Sequence, residues 1–239
     1  MGVDYYLVSI FREISTKSII ENVGRKFLSI KFGNPHKVKS ILAEEGTTIE
    51  YELEFLKLRE KELQQELRWR PDFEIKGVDT IIGAPLGEHT WIDATYLTVG
   101  SFTIAEFSSR VFHRVPDSRL KEFIHGLIDI GAEFICGWND GQVFMEVPGS
   151  RWELYGKILT DLEDGKVGGL YSRLMVVDRR LLPLRDGSYI HGGLKERLLV
   201  VTEGTAKLVY ISPTSDPSYH DLFHALPDTC RFSDFLSRD

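Results

Sequence analysis

The stretch Asp117–Gly131, DSRLKEFIHGLIDIG, carries the clearest secondary-structure signal in the chain. Its apolar residues recur at intervals of three and four, which is the single apolar stripe of an amphipathic helix. Pro116 with Asp117 or Ser118 is typical of a helix start, and Gly131 is typical of a left-handed helix stop. The pattern predicts a helix whose buried face consists of Leu120, Phe123, Ile124, Leu127 and Ile128.

A tight turn and a second helix are predicted directly after this helix. The β-forming runs Phe134–Cys136 and Val143–Met145 flank Asn139-Asp140-Gly141, and a loop with Asp-Gly suits a β-hairpin because it favours positive φ. Ser150 and Glu153 have the spacing of a capping box, which starts a helix that Gly165 ends. The sequence therefore predicts a helix–β-hairpin–helix unit at about 117–164.

Short β-rich segments lie on both sides of this unit. Before it they are Tyr5–Phe11, Val78–Ile82, Trp91–Val99 and Phe102–Phe107, and after it they are Leu170–Asp178, Leu181–Leu184, Leu198–Thr202 and Ala206–Ile211. The glycine-rich Gly83–Gly87 is interpreted as a plain turn. These patterns predict an α+β fold, with a mostly antiparallel sheet and several amphipathic helices. We expect one globular domain over 1–239, and the alternative is a split near 115 into 1–115 and 116–239.

Three further helices are predicted in the N-terminal third and two short ones near the C-terminus. The first runs from Thr16 to Leu28, the second opens at Asn34-Pro35, and the longest runs from Thr47 to about Arg68. The helix at about 47–68 has a narrow apolar stripe in a charged surround, so a homodimer through this helix is an alternative to packing within the chain. The short ones lie near Tyr219–Ala225 and Phe232–Ser237.

The amino-acid composition indicates which classes of partner and which cellular compartment to expect. The 239 residues carry a formal net charge of −7, and the pI is about 5.6. We therefore expect no nucleic-acid binding, because phosphate contacts need a concentrated basic surface, whereas an acidic protein suits a basic protein partner. We expect no membrane span, because no apolar run approaches about 20 residues. The N-terminus lacks signal-peptide features, and Cys136 and Cys230 lack metal-ligand spacing, so a soluble cytoplasmic protein with reduced thiols is predicted.

Two histidines at positions i and i+4 form the main candidate for chemistry. His220 and His224 share one face of a predicted short helix, a spacing that suits two ligands of one metal ion, and Asp221 can add a carboxylate. The sequence lacks the glutamate of H-E-x-x-H, so the interpretation that we favour is ordinary surface histidines, with no metal and no cofactor. His191 is a further candidate acid–base.

Charged and aromatic residues supply the candidates for partner binding. Asp178, Arg179 and Arg180 cluster at a predicted turn. Trp69 and Trp91 are candidate surface anchors, because tryptophan dominates the hot spots of protein interfaces.

Two classes of function remain open. The first is a non-enzymatic protein-binding module, for example an acidic inhibitor or an immunity-type antidote that occludes a partner protein. The alternative is a hydrolase-type enzyme with dispersed His and Asp residues, using His191, His220, His224 and Asp221, with or without a metal. We favour the first.

Overall fold

The computed structural model describes residues 4–29, 75–87, 90–110, 112–139, 151–172, 174–182, 199–202, 208–212, 218–223 and 230–231. The chain divides into two compact units. The first unit comprises residues 1–9 and 133–239, and the second comprises residues 10–132. The fold is α+β, and the strand pairs β2–β3, β3–β4, β5–β7, β7–β9, β8–β9 and β6–β10 are antiparallel, so the predicted fold class is confirmed.

Ten strands and three α-helices are described. The strands are β1 (Tyr5–Arg12), β2 (Ile75–Gly87), β3 (Thr90–Val99), β4 (Phe102–Ser109), β5 (Ala132–Asn139), β6 (Gly169–Leu170), β7 (Met175–Asp178), β8 (Leu199–Thr202), β9 (Leu208–Ser212) and β10 (Cys230–Arg231). The α-helices are α1 (Thr16–Ser29), α2 (Asp117–Ile130) and α3 (Arg151–Glu163). Short 3-10 helices occupy Phe112–Arg114, Arg179–Leu181 and Tyr219–Phe223.

The second unit packs two helices on an antiparallel sheet in which β3 lies between β2 and β4. The ring of Phe123 on α2 meets that of Phe107 on β4 edge to face, with 5.1 Å between centroids. Tyr96 on β3 meets Phe107 in the same way. Helix α1 packs against α2, and its Thr16 hydroxyl lies 3.1 Å from that of Thr98. The apolar stripe predicted for α2 is therefore the layer that covers this sheet.

The helix predicted over Asp117–Gly131 is confirmed at both ends. Helix α2 spans Asp117–Ile130 with Pro116 at its N-cap, and Gly131 adopts φ 112° at its C-cap. Glycine is favoured at this cap because L-residues rarely adopt positive φ.

The turn predicted at Gly83–Gly87 is wrong. Strand β2 continues through these residues to Gly87. Its register against β3 shifts between Ile81 and Ala84 and again between Pro85 and Gly87, so that β2 gains an extra residue each time. Bulges of this kind accept glycine and proline within a strand. The glycine and proline residues of Gly83–Gly87 thus bend the strand and do not end it.

The first unit holds a sheet in the order β5, β7, β9, β8, with residues Tyr5–Ser9 of β1 beside β5. Helix α3 covers one face, where Trp138 and Tyr155 are both fully buried and their ring centroids lie 5.4 Å apart. The second predicted helix, Ser150–Gly165, is thus confirmed over Arg151–Glu163. The turn and returning strand of the predicted hairpin lie outside the described residues, as do the helices predicted at about 34–46, 47–68 and 232–237.

A short C-terminal helix covers part of β5 within the first unit. A Cβ on Gly137 would lie 2.9 Å from the carbonyl oxygens of both Leu222 and Tyr6, so only glycine allows this close approach. Asn139 donates through Nδ2 to the carbonyl of Phe223 at 2.9 Å. The side chains of Leu222 and Phe223 are buried. The helix predicted near Tyr219–Ala225 is therefore a 3-10 helix that packs as part of the core.

Candidate partner-binding surface

The C-terminal end of helix α3 is closed by a rigid backbone motif. The N–H of Lys166 donates to the carbonyl of Asp161 at 3.0 Å, and the N–H of Gly165 donates to that of Leu162 at 3.2 Å. Gly165 has φ 73°. These two bonds and the left-handed glycine form a Schellman motif, which satisfies the last carbonyls of the helix. The residues at this helix end are consequently held in fixed positions.

Asp161 is fixed by two donors on one carboxylate oxygen. Its Oδ2 accepts the backbone N–H of Gly168 at 2.6 Å and the hydroxyl of Tyr171 at 2.6 Å. Tyr171 is buried, and its ring packs edge to face against Phe134 at 6.0 Å. Burial, together with the hydrogen bond and the negative charge of Asp161, raises the pKa of Tyr171 well above its ordinary value. Tyr171 is thus a neutral donor at neutral pH, and it orients the half-buried carboxylate.

The charges at this helix end are mostly negative and exposed. Glu163 and Asp164 are exposed next to half-buried Asp161, and exposed Lys166 is the nearby cation in the same turn. The last turn of α3 contains no basic residue. Because a helix C-terminus carries about half a negative charge, each carboxylate placed there costs roughly 0.3–1 kcal/mol, and a cation would be stabilising. The sequence therefore places acids where the helix itself disfavours them.

Asp178 and Arg180 form a second fixed pair at the end of β7. The side chain of Asp178 is 7% exposed and that of Arg180 is 73% exposed. Asp178 accepts the backbone N–H of Arg180 at 2.9 Å, and its carboxylate meets Nε and Nη2 of the guanidinium at 3.0 and 2.5 Å. The hydrogen bonds and the charge of Asp178 raise the pKa of Arg180. The pair thus fixes an exposed arginine on a buried carboxylate.

A backbone bond links the two clusters within the first unit. The N–H of Val167 donates to the carbonyl of Leu181 at 2.6 Å, which joins the turn after α3 to the 3-10 helix that contains Arg180. We call residues 161–166 together with Asp178 and Arg180 the α3–β7 surface. It combines rigid backbone, fixed side chains and a surplus of carboxylates, which suits the binding of a cationic protein.

The structure places only some of the predicted site residues. Asp178 and Arg180 belong to the α3–β7 surface, and Arg179 lies between them in the 3-10 helix. His220 is half exposed in the helix Tyr219–Phe223, where its backbone N–H lies 3.3 Å from Oγ of Ser218. Asp221 belongs to the same helix, and Trp91 lies in β3 opposite Pro85. His191, His224 and Trp69 lie outside the described residues.

Asp161 is the functional candidate that sequence reasoning missed. Its partners Gly168 and Tyr171 follow it by seven and ten residues, beyond the reach of helix periodicity. The acids Glu163 and Asp164 stand out in the sequence, but only as solvated residues at a helix end. One signal in the sequence could have indicated this site. The last turn of α3 contains no Lys or Arg, although cations are favoured at that position.

The thiol of Cys136 shows no reactive character. It is free and fully buried in β5, and burial raises its pKa well above the ordinary value. The described ranges contain no group of three or more His, Cys, Asp or Glu arranged to hold a metal ion. Within those same ranges, no helix combines the length and the apolar character that crossing a membrane requires.

Comparisons with known proteins give one distant structural likeness. No protein-family model matches the chain, and no curated protein matches it. Among solved structures, the chain is similar to a T6SS protein of Pseudomonas aeruginosa, with 10% sequence identity and a TM-score of 0.44. The match covers 95% of this chain and 70% of the other.

Proposed function

We propose that this protein is a non-enzymatic protein-binding module whose α3–β7 surface docks on a basic protein partner. In its specific form, the proposal is that the module acts as an inhibitor or immunity-type antidote, which occludes the partner by covering its functional surface. The chemistry of this surface and the acidic balance of the chain, with a formal net charge of −7 at neutral pH, support this class of function.

One observation carries the proposal. Asp161, Glu163 and Asp164 stand at the negative end of a helix whose last turn has no basic residue. The helix would gain roughly 0.3–1 kcal/mol from each favourable charge there, and the sequence forgoes that gain. The carboxylate of Asp161 accepts two hydrogen bonds, whereas Glu163 and Asp164 are exposed at this unfavourable position. Residues that break a local rule in this way are typical of functional sites. A bound cationic partner would offset this electrostatic cost, because its charges complement both the carboxylates and the helix dipole.

Rigidity supports occlusion as the mode of action. The Schellman motif fixes the backbone around Gly165, and Tyr171 fixes the carboxylate of Asp161. A surface already in its binding conformation loses less conformational entropy on association, which is how protein inhibitors reach high affinity with interfaces of ordinary size. Negative charges gathered on such a surface also speed the encounter with a basic partner.

Affinity capture with a matched pair of baits tests the proposal. The wild-type chain and the triple variant Asp161→Asn, Glu163→Gln, Asp164→Asn are immobilised and exposed to a lysate of the native cell. The amide replacements keep side-chain size, and the asparagine introduced at position 161 retains an oxygen that can accept from Gly168 and Tyr171. We expect a stoichiometric basic protein on the wild-type bait that elutes with rising salt and is depleted from the variant.

A variant with an unrelated exposed charge removed controls for general charge effects. Glu13→Gln, at an exposed residue of the second unit, also removes a negative charge, and it lies outside the α3–β7 surface. This bait should retain the partner as wild type does. Equal capture of the same protein by the wild-type and triple-variant baits would contradict the proposal, as would the absence of any stoichiometric partner on the wild-type bait.

A further inference from the structure

The guanidinium of Arg180 is held by the protein and is offered to solvent at the same time. Asp178 meets Nε and Nη2 at 3.0 and 2.5 Å, which occupies the side-on face of the guanidinium. The side chain of Arg180 is nevertheless 73% exposed. Three N–H groups remain, and one N–H of Nη1 together with the second N–H of Nη2 forms the end-on face. In the part of the chain that the structure describes, no hydrogen bond from Nη1 is formed.

Asp178 makes this arginine a preorganised donor. An exposed arginine normally samples many rotamers, and fixing them on binding lowers affinity. Here the fixing occurs on folding, because Asp178 is 7% exposed and binds both the backbone N–H and the guanidinium of Arg180. Arginine is enriched among the few residues that dominate interface energies, and a preorganised arginine fits that role well.

Charge selects the kind of acceptor that the end-on face takes. The carboxylate of Asp178 compensates the positive charge of Arg180, and the negative charge of Glu133 also acts on this guanidinium. A partner carboxylate placed at Nη1 would gain little from the compensated pair and would be repelled by the acids around it. Neutral carbonyl oxygens meet neither obstacle, and they accept hydrogen bonds from a guanidinium fork.

We propose that Arg180 is the specificity-determining anchor of the α3–β7 surface, and that its end-on face donates to main-chain carbonyl oxygens of the basic partner protein while Asp178 holds it in place. This inference rests on the proposed function, and it adds a residue that determines the orientation of the bound partner. The carboxylates attract a cationic protein without fixing its orientation, whereas a rigid fork of donors accepts only one arrangement of carbonyl groups.

The premise of preorganisation is tested on the free protein. Nitrogen-15 NMR measures the hydrogen exchange of the Nε–H group of Arg180 against that of Arg114, which is exposed in the second unit. We expect exchange at Arg180 to be at least severalfold slower, because Asp178 accepts from Nε. Equal exchange rates at the two arginines would overturn the inference without touching the proposed function.

The anchor itself is tested by calorimetric titration with the protein that the wild-type bait captures, produced in pure form. We expect Arg180→Ala to weaken binding by about 30-fold or more, as for an interface hot spot. Arg180→Lys should weaken it by a similar factor, because an ammonium keeps the charge and lacks the fork. Arg114→Ala should stay within about twofold of wild type, because exposed Arg114 belongs to the second unit and lies outside the surface.

The outcomes separate the inference from the proposed function. Suppose that a partner binds, that the triple carboxylate variant has a lower affinity for it, and that Arg180→Lys binds like wild type. Long-range charge alone would then guide the complex, and the role of Arg180 as the anchor would be overturned. If the wild-type bait captures no partner, the proposed function fails and the anchor fails with it. Loss of binding in both Arg180 variants, with unchanged binding of Arg114→Ala, supports the role of Arg180 as the anchor.

Discussion

Removal of the Tyr171 hydroxyl tests whether Asp161 is held as the structure indicates. The hydroxyl lies 2.6 Å from Oδ2 of Asp161, on a buried tyrosine. A hydrogen bond to a charged group contributes roughly 1.5–3 kcal/mol to stability. Because Asp161 is half-buried and water can replace the lost donor in Tyr171→Phe, we expect the lower end, about 1.5 kcal/mol. That loss is about a tenfold change in the unfolding equilibrium.

A double-mutant cycle isolates this one interaction. Urea unfolding at neutral pH is measured for wild type, Tyr171→Phe, Asp161→Ala and the double variant. Tryptophan fluorescence, to which Trp138 buried against Tyr155 in the same unit contributes, reports on the transition. The bond from Gly168 to Asp161 is lost in both variants that carry alanine in place of Asp161, so its contribution cancels.

The expected coupling free energy between the two positions is about 1–1.5 kcal/mol. A value below about 0.3 kcal/mol is what independent sites give, and it would refute the claim that Tyr171 orients Asp161. The Gly168 bond would then be the remaining support of the carboxylate, and the α3–β7 surface would be less rigid than the structure indicates.

Three further changes have defined outcomes. Gly137→Ala should lower the free energy of unfolding by roughly 1–3 kcal/mol in urea titration, because its Cβ would lie 2.9 Å from the backbone oxygens of Leu222 and Tyr6; unchanged stability would contradict that close approach. Ser9→Ala should be neutral or stabilising by up to about 1 kcal/mol in the same assay, because the buried Oγ of Ser9 has no hydrogen-bond partner among the described residues; a clear loss would mean that the hydroxyl is bonded. Above about pH 10, the unfolded state ionises Tyr171 while the folded state keeps it protonated, so the unfolded state binds fewer protons and wild type should lose up to about 1.4 kcal/mol per pH unit relative to Tyr171→Phe; parallel stability curves in alkaline buffers would show that the pKa is not raised.

Local signals predicted the helices because those signals act within a few residues. The α2 helix follows from its apolar spacing and from Gly131, and the end of α3 follows from Gly165. The path of β2 through Gly83 and Pro85 did not follow, because the bulges exist only in register with β3. Glycine and proline give the same sequence pattern whether they end a strand or form a bulge within it, so the pattern does not distinguish the two.

The candidate surface was predicted only in part for a similar reason. Asp178 and Arg180 were visible as a charged cluster, since they are close in sequence. The burial of Asp178, which turns the pair into a fixed donor, depends on the sheet around β7. The role of Asp161 depends on Tyr171, which the turn after α3 brings back to the helix. Contacts of that range carry no periodic signature in a single sequence.

The most direct test of the central claim is the salt dependence of binding between this protein and its captured partner. Each exposed charge pair contributes roughly 0.2–1 kcal/mol and is screened by salt. We predict that the triple variant of Asp161, Glu163 and Asp164 binds about 3- to 100-fold more weakly than wild type at low ionic strength. The gap should narrow as salt approaches about 1 M, where the screening length falls to about 3 Å. Equal dissociation constants for the two proteins at low salt would contradict the account.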